Sequence, residues 1–367
     1  MRQRAVYISI VHAQNAGYHT LPASALVPRI LIAKIAAMGD VIMASAMVPA
    51  IRDMWPEAHV SWLTDAALVP LVRRFEGVDE VIPVNAGKLL AGATFARGSA
   101  LADCWRSLGL RRWDLGVVAH ADPRYRVLVA GARLGKLVTQ RAVRELSRPL
   151  PWMGQTYADL IRGSAQCLPA VLPQLTTPAT GPTRRARAGI VLAPGGARNV
   201  LRDDTLRRWP LESWGRVAAT LLARGYEVTL VGGVGDIADV QQVASVAPGA
   251  TNVAGQTTLT DLLALVERAQ LVVTHDSGVL HLAALTQTPA VALFGPTAPT
   301  ERIPPGAPIL VATAAPGLPC APCYDGHGYA HCGFNRCLTG VSANEVLQLV
   351  ERQLQHEPAL FQRTDAQ

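Results

Sequence analysis

Asp276, Ser277 and Gly278 stand where an apolar run, Leu271-Val272-Val273, gives way to the apolar-periodic Val279-Leu280-His281-Leu282. That pattern predicts a strand ending and a helix beginning at these three residues. The first-turn N–H groups of a helix have no internal partner and lie at the positive end of its dipole, so the junction suits a phosphate or diphosphate. A carboxylate repels phosphate, so Asp276 is better matched to neutral hydroxyls such as those of a sugar. His275 could also reach a ligand here, whereas His281, on an apolar helical face, reads as a hydrogen-bonded core residue.

Four other stretches have comparable chemistry. After Arg29-Ile30-Leu31-Ile32-Ala33 the chain reads Ala36-Ala37-Met38-Gly39-Asp40, which puts Asp40 in the first turn of a helix, either as an ordinary cap or as an ionised proton acceptor. Ala193-Pro194-Gly195-Gly196 is a glycine-rich loop after a strand, open to close backbone approach. In Arg207-Arg208-Trp209-Pro210, Pro210 fits a first helical turn, and Arg207 either projects toward a leaving phosphate or belongs to a solvated basic turn. Gly232-Gly233-Val234-Gly235-Asp236 ends another strand, where an acid either bonds a ribose diol or closes a simple turn. No Walker P-loop is present and no G-x-G-x-x-G opens the first helix, which argues against an NTPase or an ordinary dehydrogenase.

Cys320-x2-Cys323 and Cys332-x4-Cys337, with His327 and His331 between, have zinc-like spacing. In a reducing compartment a structural Zn or Fe at Cys320, Cys323, Cys332 and Cys337 is one reading, and a loop of free thiols is the other. Cys104 and Cys167 fall in helical patterns and are expected to be buried.

These residues need a scaffold, and the hydrophobic pattern supplies two. From Arg29 the chain alternates β-branched runs with helical patterns: Ile30 to Ile35, His59 to Leu63, Glu80 to Val84 and Asp114 to Ala119, with helices from Val41, around Ala66 to Val72, around Lys88 to Leu108 and from Tyr125. A second series runs through Gly189 to Ala193, Glu227 to Val231, Leu271 to Thr274 and Ala290 to Phe294. The fold class is therefore α/β, with two doubly wound Rossmann-like domains facing a cleft. The expected divisions are an extension at 1–27, disordered or from a start codon assigned too early, a first domain at 28–170 and a proline-rich linker at 171–188. A second domain follows at 189–341, and an amphipathic helix and tail at 342–367 lie back across the domains or on a membrane surface.

The chain has 367 residues, is 50% apolar and carries a net charge of +7, with only three lysines against 31 arginines. The length supports two full cores. The charge suits anionic sugar phosphates or lipids, or it reflects base composition. The arginines are scattered without an aromatic-basic motif, so no nucleic-acid partner is expected. No apolar run is long enough to span a bilayer and no secretory signal is evident, so the expected location is cytoplasmic.

Taken in order, Ile30-Leu31-Ile32 through Gly39-Asp40, Ala193-Pro194-Gly195-Gly196, Arg207-x-Trp209-Pro210, Asp276-Ser277-Gly278 with His281-Leu282, and Phe294-Gly295-Pro296-Thr297 resemble glycosyltransferase family 9, the heptosyltransferases of lipopolysaccharide core assembly. The resemblance runs from about Arg29 to about Val350. It implies a GT-B architecture whose second domain holds ADP-heptose and whose first receives a lipid-linked acceptor at the inner-membrane surface. By this resemblance Asp40 would be the general base, and Arg207, Ser277 and Gly278 would hold the donor diphosphate. Gly195 and Gly196 would approach the donor, Asp276 would bind sugar hydroxyls, and Asp236 would hold the adenosine ribose. An inverting transfer that needs no metal cofactor is expected, since no Asp-x-Asp motif is present. Another nucleotide-sugar donor, a protein acceptor, or nucleotide-sugar binding without turnover are the alternatives. Two departures stand out: the family usually has Lys at the position of Arg207, and Ala46 stands where it commonly has Pro. Arg111, Arg112, Arg124 and Arg126 are either acceptor-phosphate ligands or a solvated surface.

Overall fold

The structure is a computed structural model that describes residues 27–140, 152–163, 168–176, 187–198, 203–314, 317–324 and 328–355. The expected extension, apart from Val27, lies outside these residues, as do 177–186 of the expected linker, the tail from 356, Cys167 and His327. The chain divides into two compact units, Met1–Pro178 and Ala179–Gln367.

Unit 1 is built on five parallel strands: β1 (Arg29–Ala33), β2 (His59–Asp65), β3 (Glu80–Val84), β4 (Arg112–Val118) and β5 (Arg133–Thr139), in the order β3-β2-β1-β4-β5. β1 is central and its Ile30 to Ala33 are fully buried, which explains its unbroken apolar sequence. After β1 come α1 (Met38–Ala44) and α2 (Met47–Met54), then α3 (Ala86–Ala91), α4 (Thr94–Leu108) and α5 (Met153–Arg162). The single helix expected around Lys88 to Leu108 is thus two, broken at Gly92, where an added Cβ would stand 2.4 Å from the Lys88 carbonyl oxygen. The helix expected from Tyr125 is a 3-10 segment, Pro123–Val129. The first residues of the expected linker are fastened to this unit: the Glu76 N–H donates to the Gln174 carbonyl at 2.9 Å, and Thr176 N–H to the Arg74 carbonyl at 2.8 Å.

Unit 2 holds β6 (Ile190–Ala193), α6 (Leu211–Ala223), β7 (Val228–Leu230), α7 (Ile237–Val246), β8 (Thr251–Asn252), α8 (Leu259–Arg268), β9 (Leu271–His275), α9 (Gly278–Leu285), β10 (Ala290–Leu293), β11 (Ile309–Ala312) and α10 (Ala343–Gln355). Its parallel sheet runs β11-β10-β9-β6-β7-β8. α10 buries Val346, Leu347 and Val350 in the core of this unit, against the same cluster as Trp209, Trp214 and Leu293. No described helix is long and apolar enough to cross a membrane.

In each unit the chain first winds one way from a central strand and then returns to wind the other way. The reversals fall between β1 and β4 and between β6 and β9. At such points the loops leaving two neighbouring strands diverge and open a crevice at their carboxyl ends, where open α/β sheets bind ligands. Asp40 follows β1; Gly195 and Gly196 follow β6; Asp276 to Gly278 follow β9.

Candidate active site

At the unit 1 reversal the chain leaves β1 through Lys34 and Ile35 and enters α1. The Ile35 N–H donates to His120 Nε2 at 3.2 Å, which ties this loop to the one that follows β4. His120 stacks on Tyr125, with ring centroids 3.8 Å apart. Burial, reinforced by the neighbouring Lys34 charge, holds the imidazole far below the usual histidine range, so His120 is neutral and acts as an acceptor. Asp40 lies in the first turn of α1 with its side chain 39% exposed, and its Oδ2 is 3.9 Å from Lys34 Nζ. Lys34 itself is buried. Of the arginines singled out, Arg111 is bound to Glu80 at 2.6 Å and stacked on Trp113, and Arg124 is held by Asp122 at 2.6 Å. Arg126 reaches Thr139 Oγ1 at 3.3 Å, and Arg112 is exposed at the start of β4.

At the unit 2 reversal the structure gathers all seven of the predicted donor-site residues. Gly196, at φ +96°, comes so close to Ser277 that an added Cβ would stand 3.1 Å from the Ser277 Cβ. Gly195 has no room for a side chain either, since a Cβ would fall 2.4 Å from Asp236 Cγ. The Asp236 carboxylate accepts from the Gly196 N–H at 3.0 Å and the Gly233 N–H at 2.9 Å, and also from Arg198. It therefore joins the glycine loop after β6 to the turn after β7.

Ser277 is the N-cap of α9, yet its side chain makes no capping bond, because the hydroxyl lies 3.0 Å from Thr274 Oγ1 instead. The first-turn N–H groups of α9 thus receive no bond from the cap side chain. Beside them Asp276 is 2% exposed; its Oδ2 accepts from Thr297 Oγ1 at 2.7 Å and lies 3.1 Å from Arg207 Nη2 and 3.9 Å from Arg302 Nε. Burial works to raise the Asp276 pKa, but Arg207, Arg302, His281 and the Thr297 hydroxyl outweigh it and hold the group below the usual carboxylate range. Arg207 also donates to the Asp276 carbonyl and lies 3.5 Å from Asp204 Oδ2. Burial opposes the Arg207 charge, and Asp276, Tyr329 and Asp204 restore it. Tyr329 in turn is pushed up to about 12, by burial first.

Two atoms of this cluster, Arg207 Nε and Asp276 Oδ1, are buried without a hydrogen-bond partner. Buried polar groups are nearly always satisfied, so an unmatched donor and an unmatched acceptor together mark a place for a polar ligand. His281 Nε2 stands 3.9 Å from that same Asp276 Oδ1.

His275 corrects an expectation. It is fully buried, its Nε2 accepts from the Trp209 N–H at 2.7 Å and from Trp214 Nε1 at 3.3 Å, and its Nδ1 lies 3.4 Å from the Gly195 carbonyl. Nε2 accepts, so the proton sits on Nδ1 and points at Gly195. Burial drives its pKa down to about 4, and His275 is a neutral brace behind the site with no path to a ligand.

The cysteine segment lies behind the Phe294-to-Thr297 motif. A Cβ on Gly295 would meet Cys337 Sγ at 3.0 Å, and the Cys323 N–H donates to the Pro296 carbonyl at 2.9 Å. Cys332 Sγ accepts from the Asn335 N–H at 3.3 Å, Cys320 is exposed, and all four thiols are free. Among the described residues no three His, Cys, Asp or Glu side chains are gathered closely enough to hold a metal ion.

Sequence reasoning passed over Lys34, His120, Tyr125 and Tyr157 in unit 1, and Asp204, Arg302 and Tyr329 in unit 2. Lys34 had a visible signal, being one of three lysines and the residue that leaves the central strand. Asp204 stands only three residues before Arg207, as a local acid–base pair, whereas the others face the site from distant parts of the chain and carry no local pattern.

Residues 177–328 match the family model described as glycosyltransferase family 9 (heptosyltransferase). The lipooligosaccharide heptosyltransferase 2 of Haemophilus influenzae is 24% identical over 298 residues, 74% of this chain and 84% of that protein. The lipopolysaccharide heptosyltransferase 2 of Escherichia coli K12 is 26% identical over 303 residues, with the same coverage of 74% and 84%. The solved structure of the E. coli ADP-heptose lipopolysaccharide heptosyltransferase II aligns with 90% of this chain and all of its own at a TM-score of 0.69 and 22% identity, which establishes the fold as GT-B. Residues 177–328 thus form a glycosyltransferase family 9 domain, and the chain is a glycosyltransferase.

Proposed function

We propose that this enzyme transfers a heptosyl group from ADP-heptose to a lipopolysaccharide core acceptor with inversion at the anomeric carbon and without a metal cofactor. The observation that carries the reading is the uncapped amino end of α9 beside the half-satisfied Arg207–Asp276 pair. A diphosphate takes the α9 N–H groups and Arg207, and a sugar hydroxyl donates to Asp276 Oδ1. The heptosyltransferase names of the relatives, and ADP-heptose in the name of the solved enzyme, support this donor and acceptor.

In this reading Asp40 accepts the proton of the acceptor hydroxyl as that oxygen bonds to the anomeric carbon. The bond from the anomeric carbon to the phosphate oxygen breaks and its electron pair leaves with ADP, whose charge is met by Arg207 and the helix terminus. One displacement from the face opposite the leaving group inverts the centre. Gly195 and Gly196 admit the donor against the backbone. Asp236, braced by two N–H groups and Arg198, shapes the pocket for the adenosine end and offers its remaining acceptor capacity to the ribose. The acceptor is lipid-linked, so the enzyme works at the cytoplasmic surface of the inner membrane.

A panel of nucleotide sugars read by thermal shift tests the donor. ADP-heptose should raise the melting temperature more than UDP- or GDP-sugars, with or without EDTA, because a ligand bound only by the folded state stabilises it in proportion to RT ln(1 + [L]/Kd). Equal or greater stabilisation by UDP- or GDP-sugars would remove ADP-heptose as the donor. Loss of transfer on chelation, restored by a divalent ion, would remove metal independence.

A further inference from the structure

We infer that Lys34 is a positioning residue for the transfer reaction, its buried ammonium orienting the Asp40 carboxylate toward the acceptor hydroxyl. The inference rests on the reading of Asp40 as the base.

Lys34 is 4% exposed, too deeply buried to touch a substrate. A buried ammonium is costly unless paired. Its Nζ lies 3.9 Å from Asp40 Oδ2 and 5.3 Å from the centroid of the Tyr157 ring. The groups facing it come from three elements: Asp40 from α1, Tyr157 from α5, and His120 with Tyr125 from the segment after β4. Burial alone would lower the Lys34 pKa; the Asp40 carboxylate and the Tyr157 hydroxyl reverse that and hold it above the usual lysine range, so the charge persists. His120 stays neutral and leaves the ammonium facing Asp40 as its carboxylate partner. The backbone of Lys34 is fixed as well, its N–H donating to the Leu63 carbonyl at 3.1 Å and its carbonyl accepting from Trp62 Nε1 at 3.1 Å. The chain uses arginine almost everywhere else, and a compact ammonium on a flexible stem is not interchangeable with a planar guanidinium fork.

An opposite charge this close favours the ionised form of a carboxylate. Removing it should move the acid limb of the pH profile of acceptor kcat/KM up by about one pH unit. Lys34→Met should also lower kcat at pH 7 by about tenfold, while ADP affinity, set in unit 2, stays as in the wild type. Lys34→Arg should keep the acid limb near its wild-type position but lower kcat, because charge is retained and placement is not; it also serves if Lys34→Met fails to fold, as judged by melting temperature. The set is completed by Asp40→Asn. An inactive Asp40→Asn beside a Lys34→Met with wild-type kcat and an unmoved acid limb would overturn the role of Lys34 and leave Asp40 as the base. An Asp40→Asn that turns over within a few fold of wild type would instead overturn the reading on which the inference rests.

Discussion

Arg207 Nη2 lies 3.1 Å from Asp276 Oδ2 in a part of unit 2 where the aspartate is 2% exposed. Each holds the other's charge in a place neither would occupy alone. Removing one partner of a buried pair leaves an uncompensated charge and costs about 3 kcal/mol. Arg207→Ala should therefore lower stability by about that amount and abolish ADP binding, measured by urea unfolding and calorimetry. Arg207→Lys, which keeps the charge, should recover most of the stability. An Arg207→Ala protein that binds ADP as the wild type does would detach this cluster from the donor.

Arg207 is also engaged by Asp204, whose Oδ2 stands 3.5 Å from Nη1. In the proposed donor complex a diphosphate would compete with Asp204 for Arg207. Asp204→Asn should remove a competitor and tighten ADP binding by roughly 1 kcal/mol, or about fivefold. Titration calorimetry checks this, and weaker ADP binding by Asp204→Asn would mean that Asp204 orients the guanidinium.

The two neutral histidines predict an acid sensitivity well above the carboxylate range. His275 has its pKa driven down to about 4 by burial, and His120 lies well below its ordinary value for the same reason. Between pH 6.5 and 4 the unfolded chain binds protons at these positions that the folded chain refuses, so stability falls as pH falls through that window and is complete above it. For His275 alone the loss by pH 4 is roughly 3 kcal/mol. Urea midpoints at pH 7.5, 6 and 5 should decline steadily, and His275→Gln should show a shallower decline by one proton. An unchanged slope would contradict the neutral assignment.

Gly195 sets how closely the loop after β6 approaches Asp236. In Gly195→Ala the new Cβ would lie 2.4 Å from Asp236 Cγ, and the carboxylate is fixed by its bonds to Gly196 and Gly233 and cannot yield cheaply. A loss of about 1 to 3 kcal/mol and weaker ADP binding are expected. Gly98→Ala, within α4 and with nothing within 4 Å of the added methyl, is the control and should stabilise by about 0.5 to 1 kcal/mol.

The central strands β1, β4, β6, β9 and β10 were legible because a strand buried on both faces reads as an unbroken apolar run. Their reversals then placed Asp40, Gly195 and Asp276 at crevices. β5, β8 and β11 escaped notice: β8 is only two residues long, and β5 is an edge strand with exposed Arg133, Gly135, Lys136 and Leu137, so its sequence looks like a loop. His275 misled because sequence shows that it adjoins Asp276 but not that a strand turns adjacent side chains to opposite faces, which buries one imidazole against Trp209 and Trp214. Asp236 was recognised as an acid at a strand end, but its bonds to the backbone of Gly196, 40 residues away, are a product of the fold. Lys34 and Asp40 are six residues apart across a strand end and a turn, a separation at which no helical or strand periodicity brings side chains together.

The most direct test of the account is transfer itself. The purified enzyme would be incubated with ADP-heptose and a lipopolysaccharide core acceptor lacking the heptose to be added, with ADP release and acceptor mass followed together. The account predicts ADP release matched by an acceptor one heptosyl residue heavier, and no product from Asp40→Asn although that variant still binds ADP. Turnover by Asp40→Asn within a few fold of wild type, or transfer from UDP- or GDP-sugars with none from ADP-heptose, would contradict it.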